Sequence, residues 1–218
     1  LSSFASDVFN ATQPTHIDIV AGGGQIDREE LISMSGILLD SVDRPVGNMT
    51  IGIYLDNVFL TDVTSSEDGT FEVFYPVPAD MTLGPVTMDV QFNGAPFYLG
   101  SSATVGWEVY SPVNIDVLPL EAAAIGDTVM ISGTVRDNLP AGWVAGHNVD
   151  IRFDGVLIGN ASTDSEGVWT LNWTIPQSTE LGSHVIDVYA PAQGWYRGGE
   201  SNGTIWVAHH SAISLNAN

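Results

Sequence analysis

The chain of 218 residues has no cysteine and no lysine. Without cysteine there are no disulfides, no thiolate metal sites and no thiol nucleophile. Without lysine there is no Schiff-base chemistry, no phosphate-cradling P-loop lysine and no lysine–asparagine isopeptide cross-link. Five arginines face 26 acidic residues, a formal charge of −21. A basic stripe that would displace counterions from nucleic acid cannot be built from this set, so no nucleic-acid partner is expected. Attraction to anionic lipid fails on the same ground. No uninterrupted apolar run approaches the roughly 18 residues of a spanning helix, so no membrane insertion is expected of this chain. No basic stretch precedes Leu1 as in a signal peptide, so the chain is expected to start after processing or to be cut from something longer. What remains is 44% apolar residues, enough for a packed core and too many for a disordered chain.

That apolar content is organised as a repeat. A step of 98 positions carries Asp56 onto Asp154, Val58 onto Val156, Gly69 onto Gly167, Pro78 onto Pro176 and Leu83-Gly84 onto Leu181-Gly182. It also carries Asp89-Val90 onto Asp187-Val188, Tyr98 onto Tyr196, Gly100 onto Gly198 and Val109 onto Val207, with no gap from Asp56 to Val109. One residue of slippage earlier in the chain brings Ser35-Gly36 onto Ser132-Gly133. Self-similarity at a fixed period is the mark of serial domains. The expected division is an N-terminal strand or linker over 1–16, a first repeat over 17–110, a second over 111–208 and a C-terminal strand over 209–218. The ends extend the pattern. Residues 1–14 overlay 99–112, as the last strand of a preceding copy would. Ile213-Ser214-Leu215 overlays Ile115-Asp116-Val117, as the first strand of a following copy would. Two readings stay open: a window on a longer array, or end strands donated to neighbouring subunits.

Each copy reads as strands alone. In the second, Thr128–Val135 and Val149–Phe153 alternate, Asp154-Gly155 is a hairpin turn signal, and Val156–Ser162 follows. Trp169, Leu171 and Trp173 share one face of the next strand, with Thr170, Asn172 and Thr174 opposite. Val185–Tyr189 and Gly203–Val207, with the opening strand at Ile115-Asp116-Val117, complete seven short strands, the spacing of a sandwich. The first copy repeats the scheme with turns at Asp56-Asn57 and Glu67–Gly69. Phe4 and Val8 carry the one faint helical spacing.

The run SGTVRD, VDIRFDGVLIGNASTDSEGVWTLNWTIP, LGSHVIDVYAP and WYRGGESNGTIWV resembles the bacterial and archaeal Ig-like (Big-type) repeats of large cell-surface proteins. The first copy carries the same motifs as SGILLD, LDNVFL, SSEDGTF, PVP, LGPVTMDV and FYLGSSATV. The resemblance covers residues 17–208 and implies an all-β fold of two tandem Ig-like antiparallel β-sandwiches. It further implies the stalks, spacers, adhesive and shell modules in which such repeats occur. These motifs specify a fold and no reaction.

Chemistry has little to work with. His16, His147, His184, His209 and His210 are scattered, and neither G-x-S-x-G nor H-E-x-x-H occurs, so no enzyme and no catalytic residue is expected. Glu29-Glu30 and Glu67-Asp68 read as loop acids. No cofactor is expected, and the metal worth considering is a structural calcium held by Asp18, Asp116, Glu67, Asp68, Asp164 or Glu166, although turn chemistry accounts for the last four. Five N-x-S/T sequons, at Asn10, Asn48, Asn160, Asn172 and Asn202, exceed the roughly two that this composition gives by chance. They point to N-linked glycans and an extracellular or cell-surface location. Trp206 falls out of phase with Ile205 and Val207 and is expected to face outward. The expected role is a structural building block of a filament, stalk or coat. Its partners are copies of itself, end to end, touching through Phe4, Val8, Phe9, Trp206, Ile213 and Leu215. The rival expectation is an adhesin or glycan-binding module using Trp143, Trp195 and Trp206.

Overall fold

A computed structural model describes residues 12–139 and 142–210. Contacts divide the chain into two compact units between Val109 and Tyr110. The first contains β1 (Thr15–Ala21), β2 (Gly24–Asp27), β3 (Leu31–Asp40), β4 (Thr50–Leu55), β5 (Val58–Thr64), β6 (Thr70–Pro76), β7 (Gly84–Phe92) and β8 (Ser101–Tyr110). The second contains β9 (Asn114–Val117), β10 (Ala123–Ala124), β11 (Thr128–Arg136), β12 (Asn148–Phe153), β13 (Val156–Ser162), β14 (Val168–Thr174), β15 (Gly182–Ala190) and β16 (Gly199–Ala208). The topology is the same twice. A three-stranded sheet runs β1-β3-β6 in the first unit and β9-β11-β14 in the second. A five-stranded sheet runs β2-β8-β7-β4-β5 in one and β10-β16-β15-β12-β13 in the other. Each pair of sheets is an Ig-like sandwich, so the chain is a tandem of two such folds.

Alternation builds the strands and the cores. In β3, every second residue from Ile32 to Asp40 is buried. In β15, His184, Ile186, Val188 and Ala190 point inward and the residues between them do not. Ile32, Met34, Ile51, Ile53, Met88 and Val90 anchor one core; Ile131, Ile151, Trp169, Ile186 and Ile205 anchor a second, separate one. The paired glycines of the repeat have a packing reason. A β-carbon on Gly36 would overlap the Phe71 ring, and one on Gly133 would overlap the Trp169 ring and the Asp116 carbonyl. The large aromatic on the facing strand fills the space that each glycine leaves.

The recurring turns are equally explicable. Asp56-Asn57 and Asp154-Gly155 all have positive φ, the requirement of a type I′ hairpin. Gly69 and Gly167, at φ 79° and 69°, close the turn into β6 and β14. The hydroxyl that opens that turn motif is buried in each copy. Ser65 Oγ donates to the Val46 carbonyl and Thr163 Oγ1 to the Val144 carbonyl, and each accepts a backbone N–H, of Met49 and His147 respectively. The residue before the motif's final proline, Val77 or Ile175, is buried.

Two details differ from the sequence reading. Among the described residues each unit has eight strands, not seven, because β2 and β10 add an edge to the five-stranded sheet; β10 pairs parallel with β16 over two residues. So short a strand, and one set apart by Gly22-Gly23-Gly24 in the first unit, leaves no alternation to read. The second difference is that β1 begins at Thr15, so Thr15 and His16 belong to the first sheet and not to a preceding linker. Phe4, Val8, Phe9, Asn10, Ile213 and Leu215 lie outside the described residues.

Candidate functional site

Three features stand out from the scaffold. The first is a clamp on the chain entering each unit. In the second unit, Ser111 forms a parallel bridge with Tyr196: its N–H donates to the Trp195 carbonyl at 3.0 Å, and its carbonyl accepts from Arg197 N–H at 2.8 Å. Ser111 is fully buried. Tyr110 meets the Trp195 ring edge-on at 5.4 Å, and the Arg197 guanidinium lies 3.9 Å from the centre of the Tyr110 ring. In the first unit, Gln13 takes the same position. It bridges Tyr98, donates to the Phe97 carbonyl at 2.7 Å and accepts from Leu99 N–H at 2.8 Å. The repeat pairs Tyr98 with Tyr196, but the clamp is not legible in the sequence, because the bridge joins the loop after the seventh strand of each unit to residues some 85 positions earlier.

The second feature is an apolar hollow of about 390 Å³ in the second unit, where β13 meets β14. Phe153, Val156, Ile158, Trp173, Thr179 and His184 line it. The Phe153 ring packs 4.7 Å from both Trp173 and His184, parallel to the latter within 24°. Both ring nitrogens of His184 face acceptors: Nδ1 lies 2.6 Å from Asp154 Oδ2 and Nε2 lies 2.9 Å from the Glu180 carbonyl. Two such acceptors favour a ring that donates from both nitrogens, the imidazolium form. The Asp154 carboxylate accordingly holds the His184 pKa above its ordinary value, and the His184 hydrogen bond holds the Asp154 carboxyl below its own. Asp154 Oδ1 also accepts Val185 N–H. The first unit keeps the backbone hydrogen bond of the hairpin aspartate without the charge pair: Asp56 Oδ1 accepts Thr87 N–H at 2.8 Å and Thr87 Oγ1 at 3.1 Å. There Leu55, Tyr75, Met81 and Val86 stand where the second unit has Phe153, Trp173, Thr179 and His184. His147, buried and within 2.8 Å of the Pro191 carbonyl through Nε2, is pushed below the usual histidine range by desolvation.

The third feature is the dispersal of the tryptophans. Trp206 is 59% exposed between Ile205 and Val207, each 1% exposed, as its phase predicts. Trp195 lies in the loop between β15 and β16, whereas Trp206 pairs with Ser183 at the far end of that hairpin. At about 3.3 Å per residue the two are roughly 25 Å apart. Trp143 packs over Gly167, with the Arg136 guanidinium 5.7 Å from its ring. Trp195 and Trp206 therefore do not share one binding platform.

The remaining site residues are ordinary in their placement. Asn48, Asn160, Asn172 and Asn202 are all exposed. No three histidine or acidic residues come together as a metal set among the described residues. Three of the acids considered for calcium have other duties. Asp68 accepts Thr70 N–H and its hydroxyl, Asp164 accepts Glu166 and Val168 N–H, and Asp116 pairs with Arg136.

No protein-family model matches the chain, and no curated protein matches it. Solved structures do. Immunoglobulin domains 1–4 of Sidekick-1 superpose with a TM-score of 0.50 at 13% identity, covering 94% of this chain and 51% of that one. The D1–D4 ectodomain fragment of ICAM-5 gives 0.52 at 12% identity, covering 88% and 53%. The I67–I69 fragment of the titin I-band gives 0.50 at 11% identity, covering 88% and 65%. The chain thus spans between half and two thirds of these neighbours, and the likeness is one of serial Ig-like folds.

Proposed function

We propose that this chain is a non-enzymatic structural segment of a cell-surface filament, stalk or coat, in which Ig-like units follow one another end to end and the partner is another copy. The observation that carries the reading is the repeated clamp. Both units hold the residue that leads into their first strand by the same parallel bridge, at Gln13 and at Ser111. A unit that binds its own entering chain fixes the backbone where its first strand begins, an arrangement that suits domains joined in series. The solved neighbours support it only at the level of fold: tandem Ig-like domains in an ectodomain and in an I-band fragment.

Electron microscopy of native surface material, with the mass of the native polypeptide, tests this. The expected image is an extended strand with beads roughly 35 Å long, the span of ten-residue strands at about 3.3 Å per residue. Native material consisting of dispersed two-unit particles overturns the proposal. A second reading, adhesion to a carbohydrate, draws on the exposed Trp206 ring. Trp206→Ala separates them: loss of polysaccharide binding favours adhesion, and loss of self-association favours the structural role.

A further inference from the structure

Every open sheet offers two edge strands with unpaired N–H and C=O groups, and proteins guard them with charge, brevity or cover. Among the described residues the eight edge strands are β1, β6, β9 and β14 of the three-stranded sheets and β2, β5, β10 and β13 of the five-stranded ones. Five carry an acid: Asp18 in β1, Asp27 in β2, Asp62 in β5, Glu72 in β6 and Asp116 in β9. β10 is two residues long. That leaves β13 (VLIGNAS) and β14 (VWTLNWT), seven residues each and without a charged side chain. The lysine commonly used on such edges is absent from the chain. These two strands are also the edge strands that contain a sequon, at Asn160 and Asn172, and both asparagines are exposed.

From this coincidence we infer that Asn160 and Asn172 are N-glycosylation sites, and that their glycans guard the two uncharged edges of the second unit against lateral strand pairing. The comparison within the chain is direct. Asn160 occupies the position of Asp62, one step of the repeat away, so a sequon replaces a charge at the same place on the same edge. Asn160 shares β13 with Val156 and Leu157, which are 68% and 55% exposed. Asn172 pairs across the ladder with Met130, 61% exposed. A hydrated glycan at either position covers apolar surface as well as backbone. The chemistry is ordinary group transfer from a lipid-phosphate-linked oligosaccharide, catalysed by a membrane transferase. The asparagine amide nitrogen forms a bond to the anomeric carbon, the bond from that carbon to the lipid phosphate oxygen breaks, and the amide proton leaves with the phosphate. The inference stands apart from the filament reading: it concerns the flanks of the second unit and holds for a filament, an adhesin or a monomer.

Two measurements decide it. Peptides released by chymotrypsin from the protein of its own cells are weighed; the lack of lysine leaves trypsin few places to cut. Those containing Asn160 and Asn172 should carry the added mass of a glycan, and an unmodified peptide at either site overturns the assignment. The full chain is then made in a glycosylating host as the parent, the Asn160→Gln/Asn172→Gln pair and the Asn160→Asp/Asn172→Asp pair. By light scattering the glutamine pair should form larger species than the parent does, and the aspartate pair should keep the size distribution of the parent without glycan. A glutamine pair that behaves as the parent, or an aspartate pair that associates as the glutamine pair does, refutes the guarding role. If the glutamine pair fails to fold, peptide occupancy and the aspartate pair still decide.

Discussion

At the scale of single residues, the two units differ most in their buried histidines. His184 and His147 stand where the first unit has Val86 and Met49. They respond to pH in opposite senses. The folded state raises the His184 pKa above 6.5, so its stabilisation is complete below that value and is lost as pH rises through the folded pKa. Asp154, held below 3.8, adds stability above that value that disappears as pH falls through its folded pKa. His147 is held below 6.5, so the unfolded chain takes up its proton first and stability falls as pH drops through 6.5. Each histidine can be replaced by its counterpart from the first unit. In His184→Val, His147 acts alone and the melting temperature of the second unit should climb as pH rises towards neutrality. In His147→Met, His184 acts alone and the melting temperature should decline on the alkaline side of 6.5. Calorimetry across the pH range reads both slopes, and slopes of the same sign would contradict the assignment. None of this was legible in the sequence beyond the position of His184 near a strand start. The charge pair depends on the Glu180 carbonyl and on Asp154 from a different hairpin, which only folding brings to the ring.

At the scale of elements, more could be read, because strands and turns are local. The alternation of Trp169, Leu171 and Trp173 against Thr170, Asn172 and Thr174 placed the two faces of β14 correctly. Asp56-Asn57 and Asp154-Gly155 were legible as hairpins because positive φ at two successive positions favours those residue types. What the sequence hid was the second duty of the hairpin aspartate. Asp56 turns the chain and at the same time ties β7 through Thr87, so Asp56→Ala should remove two hydrogen bonds and place a β-carbon without a polar side chain at φ 45°. The two effects together should destabilise the first unit by about 2–4 kcal/mol. Asp56→Asn, which keeps an acceptor and tolerates that backbone, should lose roughly half as much or less. Urea denaturation of both variants checks the order, and equal losses would show that the hydrogen bonds to Thr87 contribute nothing. The clamps at Gln13 and Ser111 were illegible for a different reason. A lone parallel bridge has no periodicity, and its partner is a loop whose shape follows from the whole sandwich.

At the scale of the whole molecule, charge sets the response to solvent. With 26 acids and five arginines, folding gathers a formal charge of −21 onto two small sandwiches, and the few ion pairs cannot offset it. Self-repulsion of that kind weakens the compact state and is relieved by mobile counterions. The Debye length falls from about 30 Å at 0.01 M salt to about 3 Å at 1 M, so long-range repulsion is present at the first concentration and nearly gone at the second. Both units should therefore melt at higher temperature as sodium chloride rises through that range. The attractive pairs work against the trend: Arg44 with Asp40 and Arg136 with Asp116 are partly exposed and weaken as salt rises. With only five arginines to form such pairs against 26 acids, repulsion stays dominant. The two cores share no residue, so Gly36→Ala should shift only the transition of the first unit and Gly133→Ala only that of the second, at every salt concentration. A fall in melting temperature with added salt would mean that the specific pairs outweigh the net charge. One shared shift from either alanine would mean that the two sandwiches unfold as one.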